Sequence, residues 1–464
     1  MDALARNGTA PALMTRDGQI LSHARLRRNI AILAQRLTNA GLAPGQTFIV
    51  LDENRDLQIM ARFAALLVGA EVVMSPGPKG FLGTGTQIDR ALVPPGRAHG
   101  PGTPIAFDPA WFADDAPVPD TAWRGGGGMH FSSSGSTGEQ KFMRLSDEGM
   151  AHWMGLIEGH IGPDRGPRLL TLPAFSAFGL FQLTKALMAG QSVMGTMDGV
   201  AETLAQSHRL GVREMVLTPP ILADVLAAIA DGSPAPDIVR IVFGGAIADP
   251  GLLRRAREVF PAAELVVVFG ATEIGLVACG RWPDEGAPMG WGGWLLPGIE
   301  ARLADAGTFA DYPAEAGRLG FRVPPVARAL GYLGRGPAFD PDGWFDTGDI
   351  ATIAPDGALV ILGREDFLIN LGGVKTTPEA IEALCLGQPG VAQVAATRVP
   401  GKAHDRLGLM VAPGRGFDAS RLRAAVAARL DIALTIEVRE VEALPRLPSG
   451  KIDRAAVARA FAHV

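Results

Sequence analysis

Short apolar runs, each about the length of a strand, alternate with amphipathic stretches through much of this 464-residue chain, and the alternation narrows the folds open to it. Leu26, Ile30, Leu33 and Leu37 recur at helical spacing, and Gly41 is a natural stop after them. Phe48 to Leu51 follows as a strand-length run, a second helical pattern starts near Asp56, and Val72 to Met74 reads as another buried strand. The same order returns later. Ile238 to Phe243 reads as a strand, Asp249 and Pro250 as a helix start with Asp as the cap and Pro in the first turn, and Leu265 to Phe269 as the next strand. Strands apolar on both faces and joined through helices imply a mostly parallel sheet covered by helices on each side.

The chain is too long for one compact core, so more than one domain is expected. Residues 75–128 and 281–298 are rich in Gly and Pro and read as loops. Past Gly363 the pattern changes to a helix opened by Thr377 and Pro378, strands near 391–399 and 407–412, a helix near 419–430 and a strand near 434–441. The expected fold is therefore α/β, with a large N-terminal domain over residues 1–362 and a small C-terminal α+β domain over 363–464.

Charge and cysteine usage remove several classes. A net charge of −5 gives no electrostatic footprint for nucleic acid. Cys279 and Cys385 stand far apart with no second Cys or His at ligand spacing, so neither a disulfide framework nor a structural zinc site is expected, and a cytoplasmic location is. The N-terminus lacks a basic-then-apolar leader, and the apolar stretch from Ala61 to Met74, broken by Arg62 and Glu71, is too short to span a bilayer.

Five segments carry candidate chemistry. In SSSGSTGEQK, Ser132 to Lys141, glycines let backbone amides face a ligand, hydroxyls add donors and Lys141 adds positive charge, a set suited to a polyphosphate. Alone, such a run reads equally as a surface linker, and its spacing is not that of a P-loop. FGATEIG, Phe269 to Gly275, follows an apolar strand, where α/β sheets place ligands. There Thr272 can donate to a phosphate, Glu273 offers hard oxygens to magnesium, and Phe269 presents a flat face to a base; the plainer reading is a turn with a solvated Glu. In GWFDTGD, Gly343 to Asp349, the Asp349 carboxylate can accept from two ribose hydroxyls, or simply mark a turn. GREDFLINLGGVKTTPEAIE, Gly363 to Glu382, puts Arg364 and Asp366 at the expected domain junction, with a backbone bend at Gly372 and Gly373. LPRLPSGKIDR, Leu444 to Arg454, carries Lys451, one of only six lysines in a chain that prefers arginine.

In this order and at these separations the five segments resemble the adenylate-forming superfamily of acyl- and aryl-CoA synthetases, adenylation domains and luciferases. The resemblance runs from about residue 17 to residue 458. It implies that Ser133, Ser134, Gly135, Ser136, Thr137, Gly138 and Lys141 hold the ATP β- and γ-phosphates, with Gln140 in place of the family's usual proline. It implies that Thr272 meets the α-phosphate, that Glu273 binds Mg2+, and that Phe269, Gly270, Ala271, Gly245 and Ala246 line the nucleotide and acyl groups. Asp349 and Arg364 match ribose contacts and Lys451 the catalytic lysine. Asp366 matches the hinge of a mobile C-terminal domain, although Phe367 replaces the family's second Asp, and Gly372 and Gly373 match the thiol tunnel.

LPAFSAFGL, Leu172 to Leu180, resembles the family's acyl-pocket segment, which implies pocket roles for Phe175, Ser176 and Gly179. Ser176 stands where amino-acid-activating relatives carry Asp and supplies no charge to pair with an ammonium, so a non-amino acyl or aryl acid is expected. The implied cofactors are ATP, Mg2+ and coenzyme A, or the phosphopantetheine of an acyl carrier protein. The expected activity is an AMP-forming acid–thiol ligase. A stand-alone enzyme loading a carrier protein and a non-catalytic nucleotide-binding protein are the alternatives.

Overall fold

The computed structural model describes all residues except 76, 98–100, 114–126, 135–139, 308–314, 336, 372–373, 402–405, 431–434, 448–450 and 463–464. The alternation legible in the first half becomes two large sheets with helices between and around them. One sheet orders its strands Thr103–Ala106, Arg90–Val93, Thr47–Val50, Glu71–Met74, Gly128–Ser134 and Gln140–Leu145. All neighbours in it are parallel except the last pair. The other sheet has a parallel middle formed by Pro11–Met14, Val193–Gly195, Arg168–Leu170, Glu214–Leu217, Arg240–Gly244 and Glu264–Ala271.

Beyond Glu264–Ala271 the larger sheet turns antiparallel. Gly275–Arg281, Trp291–Leu295, Ala358–Arg364, Trp344–Ile353, Ala316–Arg322 and Glu300–Gly307 follow in that spatial order. The fold is α/β as expected, with parallel pairing through the middle of both large sheets and antiparallel pairing beyond the strand Glu264–Ala271. Residues 281–298 contain the strand Trp291–Leu295 rather than only loop, and residues 75–128 contain two parallel strands and the short helix Lys79–Leu82. Glycine and proline hide these strands from a local reading. Gly293, at φ +83°, sits where the pairing with Ala358–Arg364 shifts register, and a β-carbon there would lie 2.4 Å from the Cys279 carbonyl carbon.

Helix boundaries follow the chemistry of their ends. Asn54 accepts from the Asp56 and Leu57 amides (2.9 and 3.0 Å) and opens the helix Arg55–Val68, which closes on Gly69 at φ +86°. Asp249 accepts from the Leu252 amide at 2.9 Å and opens Pro250–Val259. In Glu264–Ala271, Val266 and Val268 enter one core, shared with Phe131, Trp153 and Phe181, while Leu265 and Val267 enter a second core on the opposite face, with Leu222 and Leu252. Both faces of the parallel strands are therefore dry, as their unbroken apolar sequence requires.

The N-terminal ends of four adjacent parallel strands carry a buried ladder of alternating charge. Glu214 stands level with Arg168 on one side and Arg240 on the other, and Arg240 stands level with Glu264. Arg168 Nη2 lies 2.6 Å from Glu214, and Arg240 reaches Glu214 at 3.0 Å and Glu264 at 3.1 Å. Asp164 ties Lys185 in at 2.7 Å.

Gly363, where the sequence places the start of the second unit, lies inside the strand Ala358–Arg364. A 3-10 turn over Glu365–Phe367 and the ribbon Ile369–Leu371 with Val374–Thr376 follow. Then comes a separate three-stranded sheet of Val391–Val399, Arg406–Pro413 and Ile436–Glu440, with the helices Pro378–Leu386, Ala419–Leu430 and Arg454–Phe461. This unit has its own core around Ile381, Leu409 and Val426.

Candidate active site

Two charged clusters, drawn from segments distant in sequence, form near the C-terminal ends of the parallel strands. The first gathers around Lys451. Arg446 is bridged to Ile452, and the Leu447 amide donates to the Lys451 carbonyl at 2.8 Å. Lys451 reaches Gly245, an exposed glycine at φ +77° just past the strand Arg240–Gly244. A β-carbon on Gly245 would meet Lys451 Cε at 3.2 Å and Nζ at 3.5 Å. The positive φ and this close approach both favour glycine here. Ala246 beside it is also exposed.

Asp349 and Arg364 face Lys451 electrostatically. They stand level on the antiparallel strands Trp344–Ile353 and Ala358–Arg364, with Arg364 Nη1 3.4 Å from Asp349 Oδ1 and 2.6 Å from the Thr347 carbonyl. Burial raises the Asp349 carboxyl, against the opposing pull of Arg364 and Lys451. Burial likewise lowers the Lys451 ammonium, which the Asp349 charge resists and the Arg364 charge reinforces. No hydrogen bond or ion pair ties down the Lys451 ammonium among the described residues, so a cation stands uncommitted between the Gly245 turn and the carboxylate of Asp349.

The second cluster centres on Glu273. The strand Glu264–Ala271 carries Phe269, Gly270 and Ala271, then doubles back into Gly275–Arg281. A β-carbon on Gly270 would lie 2.1 Å from the Gly275 carbonyl oxygen, so the turn closes only around glycine. Trp153 packs beneath it, anchored by its indole N–H to the Ala327 carbonyl at 2.9 Å. The turn leaves Glu273 buried and Thr272 half-buried, with no hydrogen bond at the Thr272 hydroxyl among the described residues. The Phe269 ring packs on Phe321 with centroids 6.0 Å apart.

Tyr332 Oη donates to Glu273 Oε1 at 2.8 Å. Burial, and then the Glu273 charge, push the phenol far above its usual value, so it stays a donor. The Lys141 ammonium lies 5.5 Å from the centroid of the same ring. Arg364 also acts on Tyr332 electrostatically, so its charge is felt in both clusters. Neither Tyr332 nor Trp153 stood out in the sequence. The one available signal for Tyr332 was scarcity, since the chain has two tyrosines.

Ser133 pairs with Lys141, and Ser134 with Gln140, on the hairpin of Gly128–Ser134 and Gln140–Leu145. The residues expected at its tip, Gly135, Ser136, Thr137 and Gly138, lie outside the described residues, as do Gly372 and Gly373. Asp366 is exposed in the 3-10 turn, 3.9 Å from Arg364.

The segment expected to line an acyl pocket is committed to holding a helix end. Ser176 caps Ala177–Met188: its Oγ accepts from the Gly179 amide at 3.1 Å and donates to the Pro173 carbonyl at 2.8 Å. A β-carbon on Gly179 would lie 2.2 Å from that carbonyl oxygen. Phe175 is partly buried, its ring 6.0 Å from the guanidinium of the buried Arg62.

Residues 131–333 match the family model described as AMP-binding enzyme. The chain is 31% identical over 303 residues to "4-coumarate--CoA ligase-like 6" of Oryza sativa subsp. japonica, a match covering 62% of this chain and 50% of that protein. It is 33% identical over 312 residues to a "Salicylyl-CoA synthase / salicylate adenylyltransferase" of Streptomyces sp, covering 62% of this chain and 54% of that one. The chain thus spans about half the length of these curated relatives. Its fold superposes on ATP-bound MatB from Rhodopseudomonas palustris with a TM-score of 0.82 at 20% identity, over 99% of both chains. No described helix is long and apolar enough to cross a membrane.

Proposed function

We propose that the chain is a member of the adenylate-forming superfamily and that it uses ATP to convert a non-amino carboxylic acid into its acyl-adenylate and then passes the acyl group to coenzyme A. The observation that carries this reading is the delivery of Lys451, from a loop near the C-terminus, to Gly245 and into the field of Asp349. An uncommitted ammonium there suits a reaction in which a carboxylate must approach a polyphosphate of the same charge. Lys451 would bridge the acid's oxygen and the α-phosphate and stabilise the charge that develops. Asp349 and Arg364 would hold the ribose, Thr272 would meet the α-phosphate, and Lys141 with the 133–138 segment would hold the outer phosphates.

Glu273 fits a hard divalent cation. Its carboxylate is buried and has one oxygen held by Tyr332; among the described residues it pairs with no cation and its other oxygen carries no hydrogen bond. Among the described residues no group of three or more His, Cys, Asp or Glu forms a metal cage, so phosphate oxygens and water would complete the shell. Bound Mg2+ would neutralise phosphate charge and favour departure of pyrophosphate.

The division into domains 1–362 and 363–464, rotation about Asp366, and a thiol path along Gly372 and Gly373 are parts of the same proposal. So is a cytoplasmic location, supported by two cysteines that remain free. Ser176 carries no charge and its hydroxyl is already engaged, which supports an acid without an ammonium group. A pyrophosphate-exchange screen over plain acyl, aryl and amino acids tests adenylation, and thioester assays with coenzyme A or a pantetheinylated carrier test the acceptor. Absence of exchange with every acid, or exchange driven best by amino acids, would overturn the reading. A thioester formed only on the carrier would replace coenzyme A as the acceptor.

A further inference from the structure

Residues 329–333 are stitched to two parts of the site at once. On one side the Ala329 amide donates to the Glu273 carbonyl at 3.1 Å. On the other, the Leu330 amide donates to Arg144 O at 2.9 Å, the Leu333 amide to Phe142 O at 2.8 Å, and Tyr332 bridges to Met143 of the hairpin strand that begins at Gln140. The Tyr332 side chain repeats this connection. Its hydroxyl donates to the Glu273 carboxylate at 2.8 Å, and its ring face carries the Lys141 ammonium at 5.5 Å. One phenol therefore touches both the carboxylate proposed for the metal and the lysine proposed for the phosphates.

We propose that Tyr332 is a positioning residue that sets the Glu273 carboxylate for a divalent cation and holds Lys141 toward the same polyphosphate, so that metal and phosphates bind as one unit. The inference rests on the adenylation reading above. The donated hydrogen bond fixes one carboxylate oxygen and leaves the other for the ion, the usual service of an outer-shell partner to a metal ligand. The aromatic face confines an ammonium that would otherwise sample many rotamers.

Calorimetric titration of the 464-residue chain with ATP, with and without Mg2+ and with no acid present, tests this. Tyr332→Phe keeps the ring and loses the hydroxyl. It should need roughly tenfold more Mg2+ to reach the metal-dependent part of ATP binding, the scale for losing an outer-shell partner, and should bind metal-free ATP as the wild type does. Tyr332→Leu loses the ring as well and should also bind metal-free ATP about two- to fivefold more weakly. Thermal melts on both variants separate misfolding from mispositioning. A Phe variant with wild-type Mg2+ dependence, or one that loses ATP binding equally with and without metal, would contradict the positioning role alone. A wild-type protein that binds no ATP under either condition would sink the adenylation reading and this inference with it.

Discussion

Arg446 reaches Asp224 on the helix Pro219–Ala230, with its Nη2 3.3 Å from Oδ1, and so fastens the loop that carries Lys451 to the large α/β body. The same guanidinium lies 3.3 Å from Gln393 of the C-terminal sheet. If the C-terminal unit must leave this pose for thiol transfer, the pair is a latch on the first half-reaction only. Asp224→Asn should slow adenylate formation about two- to fivefold, the worth of a partly exposed pair, and leave thioester formation from synthetic acyl-AMP unchanged. The charge-swapped double variant Asp224→Arg/Arg446→Asp should recover part of the loss in pyrophosphate exchange. Equal slowing of both half-reactions would argue against a latch.

Lys451→Ala should lower acyl-AMP formation by about a hundredfold or more, the scale for losing a key charge donor, and spare thiol transfer from pre-made adenylate. Burial already lowers the ammonium, so the alkaline limb of the adenylation rate should fall below the ordinary lysine range. Asp349 is the charge that resists this lowering. Asp349→Asn, assayed at saturating ATP, should therefore move the limb to still lower pH. Movement to higher pH, or none, would show that Asp349 does not support the protonated lysine.

Glu71, at the foot of the hairpin that leads to Ser133, should govern part of the acid stability. Burial alone would raise its carboxyl, but hydrogen bonds from His130 and Arg144 outweigh this and hold it at about 2, against an ordinary 4.5. A depressed folded value means the stabilisation is full above pH 4.5 and drains away as pH falls toward 2. Denaturant melts between pH 5 and roughly pH 2 should show this loss in the wild type and a flatter profile in Glu71→Gln.

Glu214→Gln removes the centre of the charge ladder and the carboxylate that Arg168 and Arg240, buried on either side of it, share. It should cost about 3–5 kcal/mol in a chemical melt, the penalty for breaking a buried ion pair from one side. A cost under 1 kcal/mol would mean that water or rearrangement compensates.

Much of this was legible locally, and the failures share a cause. Thr377 and Asp249 announced their helices because a cap acts within three residues. Arg240–Gly244 announced itself because burial on both faces demands the continuous apolar run Ile241–Phe243. Trp291–Leu295 did not, since its strand is set by partners far along the chain and is rich in glycine. The motif residues Lys451, Asp349 and Glu273 were singled out by their family pattern, while Tyr332 contacts Glu273 across 59 positions and Arg446 contacts Asp224 across 222, separations at which no periodicity speaks. Ser176 was read as lining a pocket, and the sequence reading did not anticipate that its hydroxyl also caps the helix Ala177–Met188 by accepting from the Gly179 amide.

The charge ladder stands at the opposite ends of the strands from Gly245 and Ala271, and that separation has a mechanical consequence. A slip of one residue in any of these strands would turn its side chains to the wrong core and advance its far end by about 3.3 Å. Pairing Glu214 with two arginines penalises every such slip at the near end, because each misplacement strands a buried charge. The far rim inherits the accuracy without containing any of the charges that enforce it. Loops on that rim are thus free to change length and lining over a foundation whose alignment does not depend on them.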